Sequence, residues 1–307
     1  MNVRKIKEHE ISKYESIGVP KEGTSTLNLK NWLDQKRTKL EWCFVAEENG
    51  TFLARIIYGV FDEQPLDLKI WQFKLDKQSY KYNQIGEKLI QKSLMILSDK
   101  SLKTVEYHLY SNINDDFVSY QEIFKTCGFQ LSQQKNSYKI NSNQLRVLDQ
   151  RLNYKTLNDV GEKQFLDAIE NVTMNTLDRD DIESVSVNGS KEAARLYFEL
   201  LKEMDFNDTW WRLAYESNGD FVGLVVPQRI NEIKGVVNYI GVVPSKRGKG
   251  YVKDLIEEAS RIMIEANLQV LMADVDVENY PLFDALINLG YTHSRSLAVL
   301  KRQFDNA

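Results

Sequence analysis

Two segments 169 residues apart read alike: Trp42-Cys-Phe-Val-Ala-Glu-Glu-Asn-Gly-Thr-Phe52 and Trp211-Arg-Leu-Ala-Tyr-Glu-Ser-Asn-Gly-Asp-Phe221. Each is an apolar run, an Asn-Gly pair and a return run. Asn-Gly accepts the positive φ of a tight hairpin turn, so both read as β-hairpins. Further on, Gly86, Leu89, Ile90, Ser93, Ile96 and Leu97 mirror Val252, Leu255, Ile256, Ala259, Ile262 and Met263. Their i, i+3, i+4, i+7 spacing places one buried face on each of two helices. A third match pairs Phe124-Lys-Thr-Cys-Gly-Phe129 with Leu286-Ile-Asn-Leu-Gly-Tyr291. Three matches in the same order describe a duplicated domain.

The 307 residues suit two such domains. The join is expected in the polar stretch Asn141-Ser-Asn-Gln144 or just after it, giving domains at 1–145 and 146–307. In the second, Leu152–Leu157 reads as a strand, followed by helices near 160–175 and 190–204 and a hairpin at 211–226. A strand at 235–243, a helix at 250–267, a strand at 269–277, a helix at 280–289 and a strand at 291–301 complete it. Strands and helices interleave after antiparallel hairpins, which is a mixed α/β class with a mixed sheet. The content of 42% apolar and 27% charged residues is that of a folded chain. A formal charge of −4 gives no support to a nucleic-acid or anionic-membrane partner. With no long apolar run and no apolar leader at the N-terminus, a cytoplasmic location is expected. Cys43 and Cys127 sit in apolar settings and read as buried small hydrophobes. His9, His108 and His293 are dispersed, so no metal is implied.

The chemistry concentrates in Val236-Val-Asn-Tyr-Ile-Gly-Val-Val-Pro-Ser-Lys-Arg-Gly-Lys-Gly-Tyr-Val252. An apolar strand stops at Pro244, and a basic Gly-rich turn then opens directly onto an amphipathic helix. The first amides of a helix have no intrahelical acceptor and carry the positive end of its dipole. Gly248 and Gly250 let the backbone approach a phosphate closely, with Arg247 and Lys249 adding positive charge.

At these residues the chain resembles the GNAT (general N-acetyltransferase) superfamily, whose motif is Arg/Gln-x-x-Gly-x-Gly/Ala after a strand ending in Val-x-Pro. Here Val242-Val-Pro244 precedes Arg247-Gly-Lys-Gly250-Tyr-Val252, with Val252 in place of the last small residue. The resemblance implies two tandem GNAT-like domains. It also implies acetyl-CoA as co-substrate, held at its pyrophosphate by the amides of Arg247, Gly248, Lys249, Gly250, Tyr251 and Val252. Backbone at Val242 and Val243 would pair with pantetheine, and the Val242 amide would polarise the thioester carbonyl. A later family motif places Asn279 at the site, while Leu282 and Leu286 stand at its Ala and Tyr positions. That tyrosine is the usual acid for the leaving thiolate, and Tyr280 is the substitute considered. In the N-terminal copy, Tyr82 and Gln84 replace Gly248 and Gly250, and Phe117 replaces Asn279, so that copy is expected to lack the site.

Transfer to an amine requires a proton acceptor. The strand before Pro244 has no Glu, a common family location, but Asp274 and Asp276 share one face of the next strand. They read either as a general base with its neighbour or as surface charges. Asp178-Arg-Asp-Asp181 reads either as an attractor for a cationic amine or as the charged start of a helix. Paired Trp210-Trp211 reads as core. The function expected is acetyl transfer to a small-molecule or protein amine by direct attack. The alternatives are a non-catalytic acyl-CoA-binding module, or transfer from another donor such as an aminoacyl-tRNA.

Overall fold

The computed structural model describes residues 1–18, 28–59, 67–76, 81–98, 102–111, 117–145 and 151–304. The chain forms two compact units, Met1–Gln133 with Leu297–Ala307, and Gln134–Ser296. The first half supplies β1 (Asn2–Lys5), α1 (Ile11–Glu15), α2 (Leu29–Asp34), β2 (Cys43–Glu48) and β3 (Thr51–Gly59). It continues with β4 (Asp67–Leu75), α3 (Tyr82–Ser98), β5 (Thr104–Tyr110), α4 (Phe117–Thr126) and β6 (Gln130–Asn141). The second half runs β7 (Asn153–Thr156), α5 (Leu157–Val160), α6 (Glu162–Thr173), α7 (Arg179–Asn188) and α8 (Ser190–Lys202). It ends with β8 (Arg212–Tyr215), β9 (Phe221–Arg229), β10 (Lys234–Val242), α9 (Tyr251–Glu265), β11 (Val270–Asp276), α10 (Tyr280–Asn288) and β12 (Thr292–Gln303). Among the longer helices of the second half, α7 is the one that periodicity did not place.

The repeat is visible in the backbone. Both Asn-Gly hairpins form, with Asn49, Gly50 and Gly219 at positive φ. In each unit a strand pairs in parallel with its neighbour over only four residues. The last such pairs are Ile70↔Tyr107 on β4 and β5, and Val237↔Ala273 on β10 and β11. The next residue, Trp71 or Asn238, is skipped in the antiparallel ladder on the other side, which is a β-bulge. A bulge bends its strand and raises the local twist, so the two parallel neighbours part beyond it.

The mixed α/β class holds, but the units do not divide at 145/146. The segment 135–141 of β6 pairs antiparallel with β11 in the second unit. The segment 297–303 of β12 pairs antiparallel with β5 in the first. Each repeat thus gives its last strand to the other repeat's unit. The two strands occupy equivalent places, so local sequence pattern does not distinguish the exchange from its absence.

In the second unit both sheet faces are covered. Val222 and Val225 of β9 pack with Leu255, Ile256, Ala259 and Met263 of α9. Leu224 and Val226 face Phe165, Ile169, Phe198 and Trp211 in a second cluster. Burial on both faces explains the continuous apolar run of β9, and each such aliphatic side chain contributes about 1.5–3 kcal/mol. Trp211 is core as expected, while Trp210 is half-buried beside it. Cys43 and Cys127 are free and buried, and burial pushes each thiol up to about 12. No described helix is long and apolar enough to cross a membrane.

The strand exchange has a direct consequence. Fragments 1–145 and 146–307 each lack the strand that borders β5 or β11. We expect neither to melt cooperatively alone, and co-production to restore a single native melting profile by circular dichroism. Two fragments that each melt cooperatively would contradict the exchange.

Candidate acyl-transfer site

Where β10 leaves β11, a cavity of about 310 Å³ opens. Its wall takes Tyr239, Ile240, Gly241 and Val242 from β10, and Lys246, Arg247, Gly248 and Gly250 from the turn. Tyr251 and Val252 open α9, while Asn279, Pro281 and Leu282 come from the start of α10. Val172 of α6, the loop residues Asn175, Thr176 and Leu177, and Asp181 of α7 complete it.

The β10 backbone is directional here. Val243 N–H donates to Val222 O at 2.9 Å, within the ladder to β9. Antiparallel pairing alternates, so Gly241 and Val243 bond to β9 while Ile240 and Val242 turn their amides to the opposite edge. That edge is the one β11 has left. Of the two residues expected to meet pantetheine, Val242 is therefore the one with its amide turned to that edge. Val243 is not: its amide is in the ladder and its side chain is in the core.

Gly248 and Gly250 both hold positive φ, +76° and +78°, where a side chain would be strained. Gly250 is the N-cap of α9 and no side chain caps that helix. A Cβ on Gly248 would meet nothing within 4 Å, so the turn is open on that side. An uncapped helix start with open space before it is a cradle for phosphate oxygens.

The cations are arranged differently from the sequence expectation. Arg247 reaches four backbone carbonyls: Nε to Val242 at 2.9 Å, and its terminal nitrogens to Asn175 at 2.7 Å, Met174 at 2.8 Å and Val172 at 3.0 Å. Its amide closes a turn onto Pro244 O. Arg247 thus ties the end of β10 to the C-terminal carbonyls of α6, and its charge is directed there. Lys246 is paired with Glu216 and Asp220 at 2.7 and 2.8 Å, and Glu216 also accepts from the Tyr251 hydroxyl. Lys249 is exposed beside the turn. Arg151, not singled out in the sequence, donates to Lys249 O and pairs with Asp254 at 2.6 Å. Its guanidinium lies 4.6 Å from the Tyr251 ring centroid, which sets a cation at the mouth of the turn.

Neither Asp274, Asp276 nor Tyr280 is among the residues lining the cavity. Asp274 is exposed and accepts from Ser137 Oγ. Asp276 is buried at the end of β11 and accepts the Glu278 amide at 3.1 Å. The two aspartates do not share an environment, since one is exposed and the other covered. Tyr280 is 66% exposed. Asn279 does line the cavity and also caps α10 through Leu282 N–H. Leu286 is fully buried in the core, so no hydroxyl stands at that position.

The carboxyl that faces the cavity is Asp181. Asp178 caps α7 by accepting the amides of Asp180 and Asp181, which confirms the helix-start reading for that cluster. One turn in, Asp181 is only 9% exposed. Tyr239 and Thr176 hydroxyls both donate to its Oδ2 at 3.4 Å. Burial, reinforced by Asp178, pushes its carboxyl up to about 7, against the opposing pull of Lys135 and the two hydroxyls. Only the acidic run in the sequence pointed here, because the shift arises from tertiary burial.

In the first unit the equivalent wedge is filled. Phe73 and Leu75 of β4 are buried, with the Phe73 ring 5.1 Å from both Tyr120 and Phe124 of α4. A Cβ on Gly86 would meet Phe73 at 3.1 Å. Tyr82–Gln84, which replace the glycine turn, form the first turn of α3.

Residues 175–291 match the model of the acetyltransferase (GNAT) family. No curated protein sequence matches the chain. A GCN5-related N-acetyltransferase from Sphaerobacter thermophilus superposes with a TM-score of 0.59 at 14% identity, covering 98% of this chain and 95% of that one. A tandem GNAT protein from the clavulanic acid biosynthesis pathway gives 0.52 at 9% identity, with coverages of 86% and 83%. A GCN5-related N-acetyltransferase from Kribbella flavida gives 0.51 at 11% identity, with coverages of 81% and 86%. A domain of the acetyltransferase (GNAT) family thus lies at residues 175–291, and the fold of these GNAT proteins extends across most of the chain.

Proposed function

We propose that the chain is an acetyl-CoA-dependent N-acetyltransferase with one working site, in the second unit, and a degenerate copy in the first. The observation that carries this reading is the glycine turn. It presents the uncapped start of α9 at the mouth of a cavity that runs along the free edge of β10. Gly248, Lys249, Gly250, Tyr251 and Val252 would hold the pyrophosphate, with Arg151 as an additional cation. Ile240 and Val242 would present amides to the pantetheine and thioester, Val242 N–H stabilising negative charge that develops on the carbonyl oxygen. Arg247 is a positioning residue in this reading, since its guanidinium is occupied by carbonyls. The acceptor is an amine, of a small molecule or a protein.

A second reading, an acyl-CoA-binding protein without turnover, is favoured by the buried Leu286 at the family's tyrosine position. A thiol of pKa near 8.5 leaves tolerably without an acid, so Leu286 does not by itself exclude transfer. Release of free thiol in the presence of amines separates the two readings.

Calorimetry with acetyl-CoA should give a stoichiometry near one per chain, because Phe73, Leu75 and Tyr120 fill the first wedge. Two equal sites would overturn the degenerate-copy reading. Gly250→Glu should weaken acetyl-CoA binding at least ~10²-fold through repulsion of the pyrophosphate; the fold should be kept, since the nearest atom to its Cβ is Arg151 at 3.6 Å, but at a lower melting temperature, because φ of +78° strains any side chain. Gln84→Glu, the matching change in the first unit, should leave binding as it is. Normal binding by Gly250→Glu would place the phosphate site elsewhere.

A further inference from the structure

We infer that Asp181 is the catalytic base of this site, taking the proton of a primary ammonium acceptor that binds against it. The inference rests on the transferase reading and names the residue and acceptor class for it.

The geometry singles out this carboxyl. Asp181 lines the cavity that holds Val242, yet it stands on α7, a different element from the strand carrying the expected bases. Both hydroxyl contacts fall on Oδ2, leaving Oδ1 available for a ligand proton. Its surroundings are defined on every side. Asp178 and Asp180 share its helix, and Lys135 of β6 pairs with both of these at 3.3 and 2.7 Å. Tyr239 of β10 donates to it, and Tyr197 of α8 stacks on Tyr239 with ring centroids 4.6 Å apart. Lys135 is thereby engaged with Asp178 and Asp180, and no cation within the cavity wall pairs with Asp181. A cationic amine in the cavity would set its charge against this carboxyl. Burial keeps the carboxyl near neutrality at physiological pH, where a base can both take and return a proton.

The step balances. An ammonium gives one proton to the Asp181 carboxylate, and the neutral amine nitrogen attacks the thioester carbon. The C–S bond breaks, the departing thiolate takes the second nitrogen proton, and the amide and free CoA thiol are formed. Asp181 then returns its proton to water. Because the carboxylate is the active form, the rate should rise with pH through about 7.

Two measurements on the full chain test this. The first needs no substrate. A folded-state pKa raised above the unfolded value stabilises the protein at low pH, and that contribution is lost as pH rises to about 7. Asp181→Asn should therefore melt higher than the parent at pH 8, and the gap should close as pH falls toward 4. A gap that is absent or reversed at pH 8 overturns the assignment. The second follows thiol release from acetyl-CoA with water and with a panel of simple primary amines. Asp181→Asn should lower turnover roughly 10²-fold with acetyl-CoA affinity unchanged, and should remove the rise near pH 7. Equal turnover and an unchanged pH profile overturn the inference, whereas a parent protein that binds acetyl-CoA yet releases no thiol overturns the transferase reading and the inference with it. Failure of the parent to bind acetyl-CoA at all instead overturns the transferase reading, while the melting comparison still reports on Asp181.

Discussion

The bulge at Asn238 is the constraint on which the site depends. Up to Val237, β10 is an ordinary inner strand, bonded on one side to β9 and on the other to β11. One skipped residue bends it, and pairing with β11 ends while pairing with β9 continues to Val242. The amides of Ile240 and Val242 then lie at an edge inside the sheet. An unpaired strand edge is normally a liability. Here it is bordered by the turn of α9 on one end and by α6, α7 and α10 around it, so only a ligand of limited width can use it.

Arg247 keeps that edge in place. Its guanidinium satisfies Val242 O and the last carbonyls of α6 together. Gly241 allows the same approach from below, since a Cβ there would sit 2.6 Å from Val172. A lysine has donors enough for some of these bonds but not the planar fork that reaches all four. The positive field at this turn thus comes from the helix start and Lys249 rather than from the arginine of the motif, and Arg151 beside it is shared with Asp254.

These particulars explain what the sequence discloses and what it conceals. The hairpins, the buried stripe of α9 and the glycine turn are set by residues a few positions apart, so their spacing is enough to read them. Helix α7 escaped periodicity because its faces are weakly differentiated, with Ile182 and Val187 exposed and Asp181 buried. The exchange of β6 and β12 depends on pairing between distant segments of similar pattern. Asp274 and Asp276 alternate as residues of one face should, yet the surrounding chain exposes the first and covers the second. The roles of Arg247 and Asp181 are set by partners far along the chain: carbonyls 72 to 75 residues away for one, and a tyrosine 58 residues away for the other.

The two units show how one backbone device can serve opposite ends. Both carry the bulge and both let the parallel strands part. In the first, Phe73, Leu75 and Tyr120 close the gap, and burying each large side chain contributes about 1.5–3 kcal/mol. In the second, Ile240, Val242 and Leu282 stand at the corresponding places and leave space between them. That space forgoes packing energy, and a buried carboxyl with a raised pKa costs more, as expected where a site is kept at the expense of stability. A bound ligand that fills the wedge would return part of this through mass action on the folded state. The filled unit needs no such help, and there Tyr82–Gln84 form the first turn of α3 in place of a glycine turn.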